Sequence, residues 1–330
     1  MADAITLKNL RKTFGTKVAV EGMNLSIPEG SLCGFIGPNG AGKTTTIRMI
    51  MSILFPDSGE LSVLGKASAV ESKDRIGYLP EERGLYKKMK VGPFLAYMAK
   101  LKGVDGAGLD AKVRTWLARV GLTEVYRKKC EELSKGMQQK VQFVSSVIHE
   151  PDLIILDEPF SGLDPVNSRM LRELIDEQHQ AGRTIIFSTH QMPQAEALCD
   201  RVVMIHQGRK VLDDSPAGIR SKFDPRTVAV EPVSPIDPAL LARIPGVRSV
   251  EPRGKVLDLH AAQGADLGSI MSAACAAAPL HRVEIVRPSL EDIFIDIVQQ
   301  TMKPEEREKL LASLRSPMAS LASSLEGGGD

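Results

Sequence analysis

The sequence predicts an α/β protein with a large first domain and a small second one. Short apolar runs bounded by polar turns alternate with helix-like segments over residues 1–222. One of these runs leads into a glycine-rich loop, and a helix-like segment follows that loop directly. After residue 222 the composition changes and prolines recur at short intervals. Such alternation of strands and helices builds a parallel sheet covered by helices.

The opening segment departs from this parallel pattern. "AITLKNLRKTFGTKVAVEGMNLSI" alternates apolar and polar residues, which predicts antiparallel strands with one face in water. "SLCGFIG", "LIILDEP" and "TIIFSTH" are continuous apolar runs that turn polar at their ends. Continuous runs of this length are typical of parallel strands that are buried on both faces. We therefore expect an antiparallel subdomain joined to a parallel core.

Two further zones complete the predicted architecture. A helical insertion is expected over about residues 91–133, where "PFLAYMAKLKG" and "KVRTWLARVGL" carry apolar residues at helical spacing. Residues 223–300 predict a small α/β domain, with a hairpin, an alanine-rich helix, the strand "RVEIV" and a helix opened by "SLED". Ser289 and Asp292 have the spacing of a capping box at that helix. Residues 301–330 predict a charged helix and a flexible tail.

Composition and charge restrict the class of protein. Apolar residues make up 43% of the 330 residues, and the formal net charge is +1. That balance predicts no overall electrostatic attraction to nucleic acid or to anionic lipid. The cysteines lack metal-ligand spacing and predict free thiols in a reducing compartment; they are Cys33, Cys130, Cys199 and Cys275. No signal peptide and no apolar run of about 20 residues is present, so we expect a cytoplasmic chain.

The glycine-rich loop "GFIGPNGAGKTTT" predicts a phosphate-binding site. It matches the pattern G-x-x-x-x-G-K-[ST] and lies between an apolar strand and a helix. Backbone N–H groups of such a loop surround phosphate oxygens, its lysine contacts the β and γ phosphates, and its threonine hydroxyl is a ligand for Mg²⁺. The alternative is a tight turn with an exposed lysine. The candidate residues are Gly37, Pro38, Asn39, Gly40, Ala41, Gly42, Lys43, Thr44 and Thr45.

Three polar residues at strand ends predict the remainder of a hydrolytic site. Asp157 and Glu158 end the run "LIILDEP", at the sheet edge expected to lie beside the phosphate loop. Asp157 is then expected to hold Mg²⁺, and Glu158 to act as the general base for an attacking water. His190 ends "TIIFSTH" and is interpreted as a γ-phosphate contact. The alternatives are two solvated acids and a structural histidine.

Taken together, the motifs resemble those of one family of ATPases. The ordered set "GPNGAGKTT", "LSKGMQQ", "LIILDEP", "SGLD" and "STH" is similar to that of the nucleotide-binding subunits of ATP-binding cassette (ABC) transporters. The resemblance covers about the first two thirds of the chain, and it implies ATP and Mg²⁺ as ligands. The guanine-reading motif Asn-Lys-x-Asp is absent. "PSLEDIFI" and its surroundings resemble a C-terminal domain of sodium- and drug-efflux ATPases whose permease is a separate chain.

The resemblance also implies roles for individual residues. Phe14 resembles the aromatic residue that stacks on adenine, although a core phenylalanine is the alternative. Asp164 in "SGLD" resembles the residue that touches the site of the other subunit. Glu81 occupies the position where the family has a glutamine, and a carboxylate there is still able to ligate Mg²⁺ or its water. A solvated acidic loop is the alternative for Glu81.

The segment "LSKGMQQKV" resembles the family signature, with Lys135 in place of a glycine and Met137 in place of a glutamine. Ser134, Lys135 and Gly136 begin a helix, where free N–H groups favour an anion. In the family that anion is the γ-phosphate bound by a second subunit, so a dimer is implied. Lys135 is expected to strengthen this contact and to offset the hydrogen bond that Met137 loses.

The resemblance implies an ATPase subunit that acts with a second nucleotide-binding subunit and a separate transmembrane permease, without nucleic acid. We expect it on the inner face of the cell membrane, held there by the permease, and expect transport to be export. One alternative is a soluble ABC-type ATPase that acts on ribosomes or DNA, which the neutral charge balance disfavours. Another is an ATP-gated regulatory module without turnover, which Glu158 disfavours.

Overall fold

The computed structural model describes residues 2–82, 84–223 and 226–301. It divides into two compact units, of which the first ends at Pro216 and the second begins at Ala217. The boundary predicted from sequence, 222/223, follows the helix that opens the second unit. The charged helix and tail predicted after residue 301 lie outside the described residues.

The first unit combines nine strands with six α-helices among its described residues. Its strands are β1 (Asp3–Phe14), β2 (Lys17–Pro28), β3 (Leu32–Ile36), β4 (Ser58–Val63), β5 (Ile76–Leu79), β6 (Leu153–Asp157), β7 (Thr184–Thr189), β8 (Arg201–His206) and β9 (Arg209–Asp214). Its helices are α1 (Lys43–Ile50), α2 (Val91–Leu101), α3 (Leu109–Arg119), α4 (Lys135–Val147), α5 (Pro165–Gln180) and α6 (Met192–Leu198). None of the helices in the described ranges is long and apolar enough to cross a membrane.

A six-stranded sheet forms the centre of the first unit, in the order β5-β6-β7-β3-β8-β9. All its neighbours pair in parallel except β8 and β9, which form an antiparallel pair. Every residue of β3, β6 and β7 is buried, as their continuous apolar runs predict. The carboxyl ends of these three strands therefore meet at one edge of the sheet.

The opening strands form a separate three-stranded antiparallel sheet, in the order β2-β1-β4. Its inner residues, such as Ile5 and Met23, share one apolar core with Phe35 of β3 and Ile47 of α1. This core fixes the end of β1 and the start of α1 in one body. The predicted antiparallel subdomain is confirmed, and it holds two segments of the candidate site together.

The helical insertion contains α2 and α3, and both follow the predicted spacing. Phe94 and Leu95 of α2 are buried, as are Trp116 and Leu117 of α3. Both helices pack against α4 through these faces. Val141 and Val144 of α4 and its C-cap Ile148 are buried, as their periodicity predicts.

The second unit is a small α/β domain, and its sheet has the order β11-β12-β10-β13 with antiparallel pairing throughout. The predicted hairpin, alanine-rich helix, strand and last helix are all present, and Ser289 and Asp292 form the predicted cap. β10 was not predicted from sequence, because prolines flank its apolar residues. The elements are α7 (Pro216–Lys222), β10 (Thr227–Pro232), α8 (Pro238–Ala242), β11 (Val247–Arg253), β12 (Val256–Ala261), α9 (Leu267–Ala277), β13 (Leu280–Val286) and α10 (Leu290–Thr301).

The cysteines are free thiols, as their spacing predicts. Cys33, Cys130 and Cys199 are buried, while Cys275 is exposed. Burial raises the pKa of Cys33 to about 12, which keeps its thiol protonated. The three buried cysteines are therefore part of the packing.

Candidate functional site

A cleft of about 330 Å³ opens at the carboxyl edge of the parallel sheet. The loop between β3 and α1 forms its floor, β1 and β2 form one wall, and the segments after β5 and β6 each contribute an acid. Its lining residues are Phe14, Lys17, Ala19, Asn39, Gly40, Ala41, Gly42, Lys43, Thr44, Thr45, Glu81 and Glu158. The structure thus brings together most of the residues that the sequence assigns to nucleotide binding.

Two glycines of this loop cannot be replaced without moving the backbone. Gly37 has a φ of +151°, and a Cβ there would lie 2.1 Å from the carbonyl oxygen of Ile205. Gly42 has a φ of +107°, and its Cβ would lie 2.6 Å from the carbonyl oxygen of Ala19. The loop is pressed against β8 and β2 at these points. Its shape is therefore set by the surrounding strands.

Lys43 is buried at the start of α1, and its ammonium lies inside the loop. Its Nζ donates to the carbonyl oxygen of Gly37 at 2.8 Å and to that of Pro38 at 3.2 Å. The Oε1 of Glu158 lies 3.8 Å from the same nitrogen. Burial lowers the pKa of Lys43, and the nearby carboxylates oppose that effect. The lysine is a cation placed where phosphate oxygens of a bound nucleotide would lie.

Asp157 ends β6 with one carboxylate oxygen bonded and one without a partner. The Oδ1 accepts from the Thr44 hydroxyl at 3.2 Å and from the Ser188 hydroxyl at 2.5 Å. The Oδ2 is buried and has no hydrogen-bond partner among the described residues. Buried polar atoms nearly always have a partner, so this oxygen is a candidate ligand for a bound ion. Because Thr44 and Asp157 offer hard oxygens side by side, this position fits Mg²⁺.

No cluster of three or more histidine, cysteine or acidic side chains suited to a metal ion is found in residues 2–82, 84–223 and 226–301. A dedicated protein cage is not required for Mg²⁺ at a phosphate loop, because Mg²⁺ keeps several waters and takes further ligands from substrate phosphates. Thr44 and Asp157 supply two protein oxygens of the kind that such a site uses.

Glu158 follows Asp157 in a left-handed backbone conformation with a φ of +50°. Its N–H donates to the Ser188 hydroxyl at 3.0 Å, which ties this conformation to β7. Its Oε1 lies 3.0 Å from the Nδ1 of His190 and 3.8 Å from the Nζ of Lys43. The Glu158 side chain is 10% exposed, whereas that of His190 is 43% exposed. The structure thus places a buried carboxylate between two basic groups at the cleft.

Glu81 lines the cleft from the loop after β5, and that loop is held by a side chain of α4. The Nε2 of Gln142 donates to the carbonyl oxygen of Glu82 at 3.1 Å and lies 3.5 Å from that of Pro80. Gln142 is buried, and its Oε1 has no partner among the described residues. The backbone on either side of Glu81 is therefore linked to α4, although some 60 residues separate the two in sequence.

Phe14 stands at the end of β1 with 49% of its surface exposed. The carboxylate of Asp57 anchors the two residues that precede Phe14. This carboxylate accepts hydrogen bonds from the N–H and the hydroxyl of Thr13, both at 2.6 Å, and from the Nζ of Lys12 at 2.8 Å. These hydrogen bonds lower the pKa of Asp57 well below its usual range. The exposed ring and its anchored backbone suit a stacking surface better than the alternative of a core phenylalanine.

The helix α4 begins at Lys135, with Ser134 as its N-cap. The Ser134 hydroxyl accepts from the N–H of Met137 at 3.3 Å. Ser134, Lys135 and Gly136 are not among the residues that line the cleft. The structure therefore separates this helix start from the phosphate loop within the chain.

Asp164 lies beside the same helix start and caps α5. Its Oδ1 accepts from the N–H of Asn167 at 2.9 Å, and hydrogen bonds from Asn167 lower the pKa of Asp164. A Cβ added to Gly136 would lie 3.4 Å from the Nδ2 of the same asparagine. Asp164 and the signature segment thus form one surface, which is distinct from the cleft.

Comparisons with known proteins show the family of this chain. A family model described as ABC transporter matches residues 20–161. The uncharacterized ABC transporter ATP-binding protein YhaQ of Bacillus subtilis is 40% identical over 294 residues, which cover 89% of this chain and 98% of that protein. The chain belongs to the ABC transporter ATP-binding proteins.

Other members of the ABC family extend the comparison to the second unit and to structure. A second family model, the C-terminal domain of DrrA1-3-like ATP-binding proteins, matches residues 215–298. The Nod factor export ATP-binding protein I of Burkholderia lata is 30% identical over 305 residues, covering 91% of this chain and 98% of that protein. A solved structure titled "Structure of ATP binding subunit of ABC transporter" matches with a TM-score of 0.63 and 32% identity, over 67% of this chain and 93% of that one.

Three residues that support the site of this ABC subunit were not predicted from the sequence. Ser188 links Asp157 to the backbone of Glu158, Gln142 holds the loop of Glu81, and Asp57 anchors the strand end at Phe14. Ser188 lies in the quoted run "TIIFSTH", two positions before His190, and offered the clearest signal. Gln142 and Asp57 act through contacts distant in sequence, which no spacing rule reveals.

Proposed function

We propose that this chain is the ATP-hydrolysing subunit of an ABC exporter, and that it dimerises around two ATP molecules to drive a separate permease. The observation that supports this most directly is the buried Oδ2 of Asp157, which lacks a partner among the described residues beside the phosphate loop. A buried carboxylate oxygen without a hydrogen-bond partner is rare in folded proteins. A Mg²⁺ ion that accompanies the nucleotide supplies the missing contact.

ATP binding is assigned to the cleft. The N–H groups of Gly40 to Thr45 and the Nζ of Lys43 contact the phosphates, and Phe14 stacks on the adenine. Thr44 and Asp157 would hold Mg²⁺, and Glu81 would ligate the ion or its water. When bound, Mg²⁺ neutralises charge on the β and γ phosphates.

Hydrolysis is assigned to Glu158, with His190 in support. The carboxylate of Glu158 accepts a proton from the water that attacks the γ-phosphorus, while ADP leaves. His190, 3.0 Å from that carboxylate, holds its orientation and contacts the γ-phosphate. General-base catalysis of this kind contributes about 10²- to 10⁴-fold to a rate.

A second copy of the chain is needed to complete the site. Ser134, Lys135, Gly136 and Asp164 form their own surface, which does not line the cleft of the same chain. The start of α4 is suited to the γ-phosphate held by another copy, because its N–H groups favour an anion. Two copies facing each other then bury two ATP molecules, and hydrolysis releases the contact.

The names of the relatives support our proposals for the permease, the export direction and the location. The name of the Nod factor export protein describes export, and that relative is similar over both units of this chain. We assign the same direction here, with a separate transmembrane permease as partner and no role for nucleic acid. The chain then lies at the cytoplasmic face of the membrane.

Phosphate release by the full chain tests this function, with Glu158→Gln as the main variant. We expect Mg-ATP hydrolysis by the parent and a loss of about 100-fold or more in the variant. The variant is also expected to form an ATP-dependent dimer, detected by light scattering after gel filtration. Glu173→Gln is the matched control, because Glu173 is an exposed acid that pairs with Arg169 on α5.

The outcomes separate the candidate functions. Full activity of the Glu158→Gln variant would contradict the assigned base. ATP-dependent dimerisation of the parent without phosphate release would identify a regulatory module. ATP hydrolysis by a chain that binds no membrane protein, and whose rate no membrane protein raises, would identify a soluble ATPase.

A further inference from the structure

Six exposed basic residues lie on the two segments that flank α2 and α3, although the chain as a whole has a formal net charge of only +1. They come from two short segments, "KKMK" before α2 and "RKK" after α3, and all six are exposed. We call this set the basic patch: Lys87, Lys88, Lys90, Arg127, Lys128 and Lys129.

Backbone pairing fixes the two segments of the basic patch side by side. Lys90 and Lys129 form an antiparallel bridge. The N–H of Cys130 donates to the carbonyl oxygen of Met89 at 2.9 Å, and that of Val91 donates to the carbonyl oxygen of Lys128 at 2.9 Å. The cations are therefore collected by the fold from positions some 40 residues apart, rather than by loops that meet by chance.

Two carboxylates closely follow the second segment of the basic patch. Glu131 and Glu132 follow the second segment, so that the patch and these two acids carry a net charge of +4. Glu131 lies 3.6 Å from the Nζ of Lys129, and Glu132 accepts a hydrogen bond from the N–H of Lys129. Like charges held this close repel one another, which costs free energy until an anionic partner binds.

An exposed aromatic pair borders the basic patch. Tyr86 precedes Lys87 and is 52% exposed, and its ring lies 6.0 Å from that of Tyr97, which is 42% exposed. Tyrosine is enriched at the boundary between membrane and water, where an apolar ring and a polar hydroxyl are both accommodated. Clusters of four to eight basic residues that are held close to a membrane are typical of surfaces that bind anionic lipid.

We propose that the basic patch binds the anionic headgroups of a lipid bilayer directly. The choice of a membrane over other polyanions rests on the proposed transport function, which brings the chain to a membrane surface. The patch then adds an attachment of its own to the one that the permease supplies. The net charge of the whole chain conceals this surface, because acids elsewhere balance the six cations.

Vesicle binding by the full chain without nucleotide tests the proposal. The probes are vesicles of phosphatidylcholine alone and vesicles that also contain about 30% phosphatidylglycerol, compared by co-sedimentation. We expect binding to the anionic vesicles only, and its loss as salt is raised from about 0.05 M to about 0.5 M. The triple variant Lys87→Gln, Lys88→Gln, Lys90→Gln is expected to lower the partition coefficient about 100-fold, since each basic residue contributes roughly fivefold.

The matched control is the triple variant Lys66→Gln, Arg248→Gln, Lys255→Gln, which removes the same charge from exposed positions elsewhere. It is expected to retain binding. A second patch variant, Arg127→Gln, Lys128→Gln, Lys129→Gln, keeps the test valid should the first fail to fold. Equal binding to neutral vesicles, or equal losses in patch and control variants, would overturn the proposal.

Two other outcomes are informative. Binding of a DNA duplex that depends on the patch, without binding to anionic vesicles, would identify a nucleic-acid surface and reject the membrane proposal. Because vesicle binding is measured without ATP, it is independent of hydrolysis. Failure of the ATPase assay with intact, patch-dependent vesicle binding would reject the proposed function and leave the lipid contact standing.

Discussion

Replacing Ser188 with alanine should impair hydrolysis more than nucleotide binding. Ser188 is fully buried, and its hydroxyl both donates to Asp157 and accepts from the N–H of Glu158. The variant leaves that buried N–H without its acceptor, which costs about 1–3 kcal/mol of unfolding free energy. Glu158 is then no longer fixed in its left-handed conformation, and a displacement of about 1 Å at a catalytic group costs up to about 100-fold in rate.

The assay for Ser188 combines steady-state ATP hydrolysis with thermal unfolding. We expect kcat to fall about tenfold or more in Ser188→Ala while KM for ATP changes little. Ser146→Ala is the control: Ser146 is also buried, but its hydroxyl only donates to the carbonyl oxygen of Phe143 within α4. Ser188→Thr retains a hydroxyl and is expected to recover activity. If Ser188→Ala loses stability but keeps kcat within about twofold of the Ser146→Ala value, the positioning role is refuted.

Three further predictions concern other parts of the chain. Asp57→Ala should release the strand end at Phe14 and weaken ATP binding about fivefold, because about 1 kcal/mol of stacking on adenine is lost. Binding of inorganic tripolyphosphate, which has no base to stack, should stay unchanged. Equal losses of affinity for both ligands would contradict this role of Asp57. Lys135→Ala should reduce ATP hydrolysis and ATP-dependent dimerisation, because one charge in contact with a phosphate contributes ~1 to 4 kcal/mol before desolvation. Full ATPase activity of this variant would show that Lys135 does not compensate for Met137. Burial lowers the pKa of His149 from 6.5 to about 4, so its stabilising effect is complete above pH 6.5 and is lost as the pH falls towards 4. Relative to His149→Gln, the parent should therefore lose about 3 kcal/mol of unfolding free energy over that range in chemical denaturation, and parallel pH profiles would refute the assignment.

The sequence predicted those elements whose burial leaves a local pattern. β3, β6 and β7 are buried on both faces, so their apolar runs are continuous and their polar ends are conspicuous. β10 is equally buried over Val228–Val230, yet the run is short and lies among prolines. It was therefore interpreted as part of a boundary rather than as a strand inside a sheet.

Contacts between distant segments could not be predicted in this way. Ser188 meets Asp157 because β6 and β7 pair in a particular register, which aligns these two residues. The basic patch likewise exists because two segments pair across the helical insertion. Motif spacing reveals which residues share a chemical role, whereas register and pairing decide which side chains support them.

The amide of Gln142 gives this molecule a thermodynamic constraint. It joins the loop of Glu81 to the helix that begins at the signature segment, so the two cannot shift independently without breaking this hydrogen bond. If a phosphate at the helix start alters how tightly a neighbouring protein holds that loop, then the neighbour must alter phosphate affinity by the same factor. Under that condition a protein that binds the loop would also change the phosphate affinity, and Gln142 is the side chain that links the two sites.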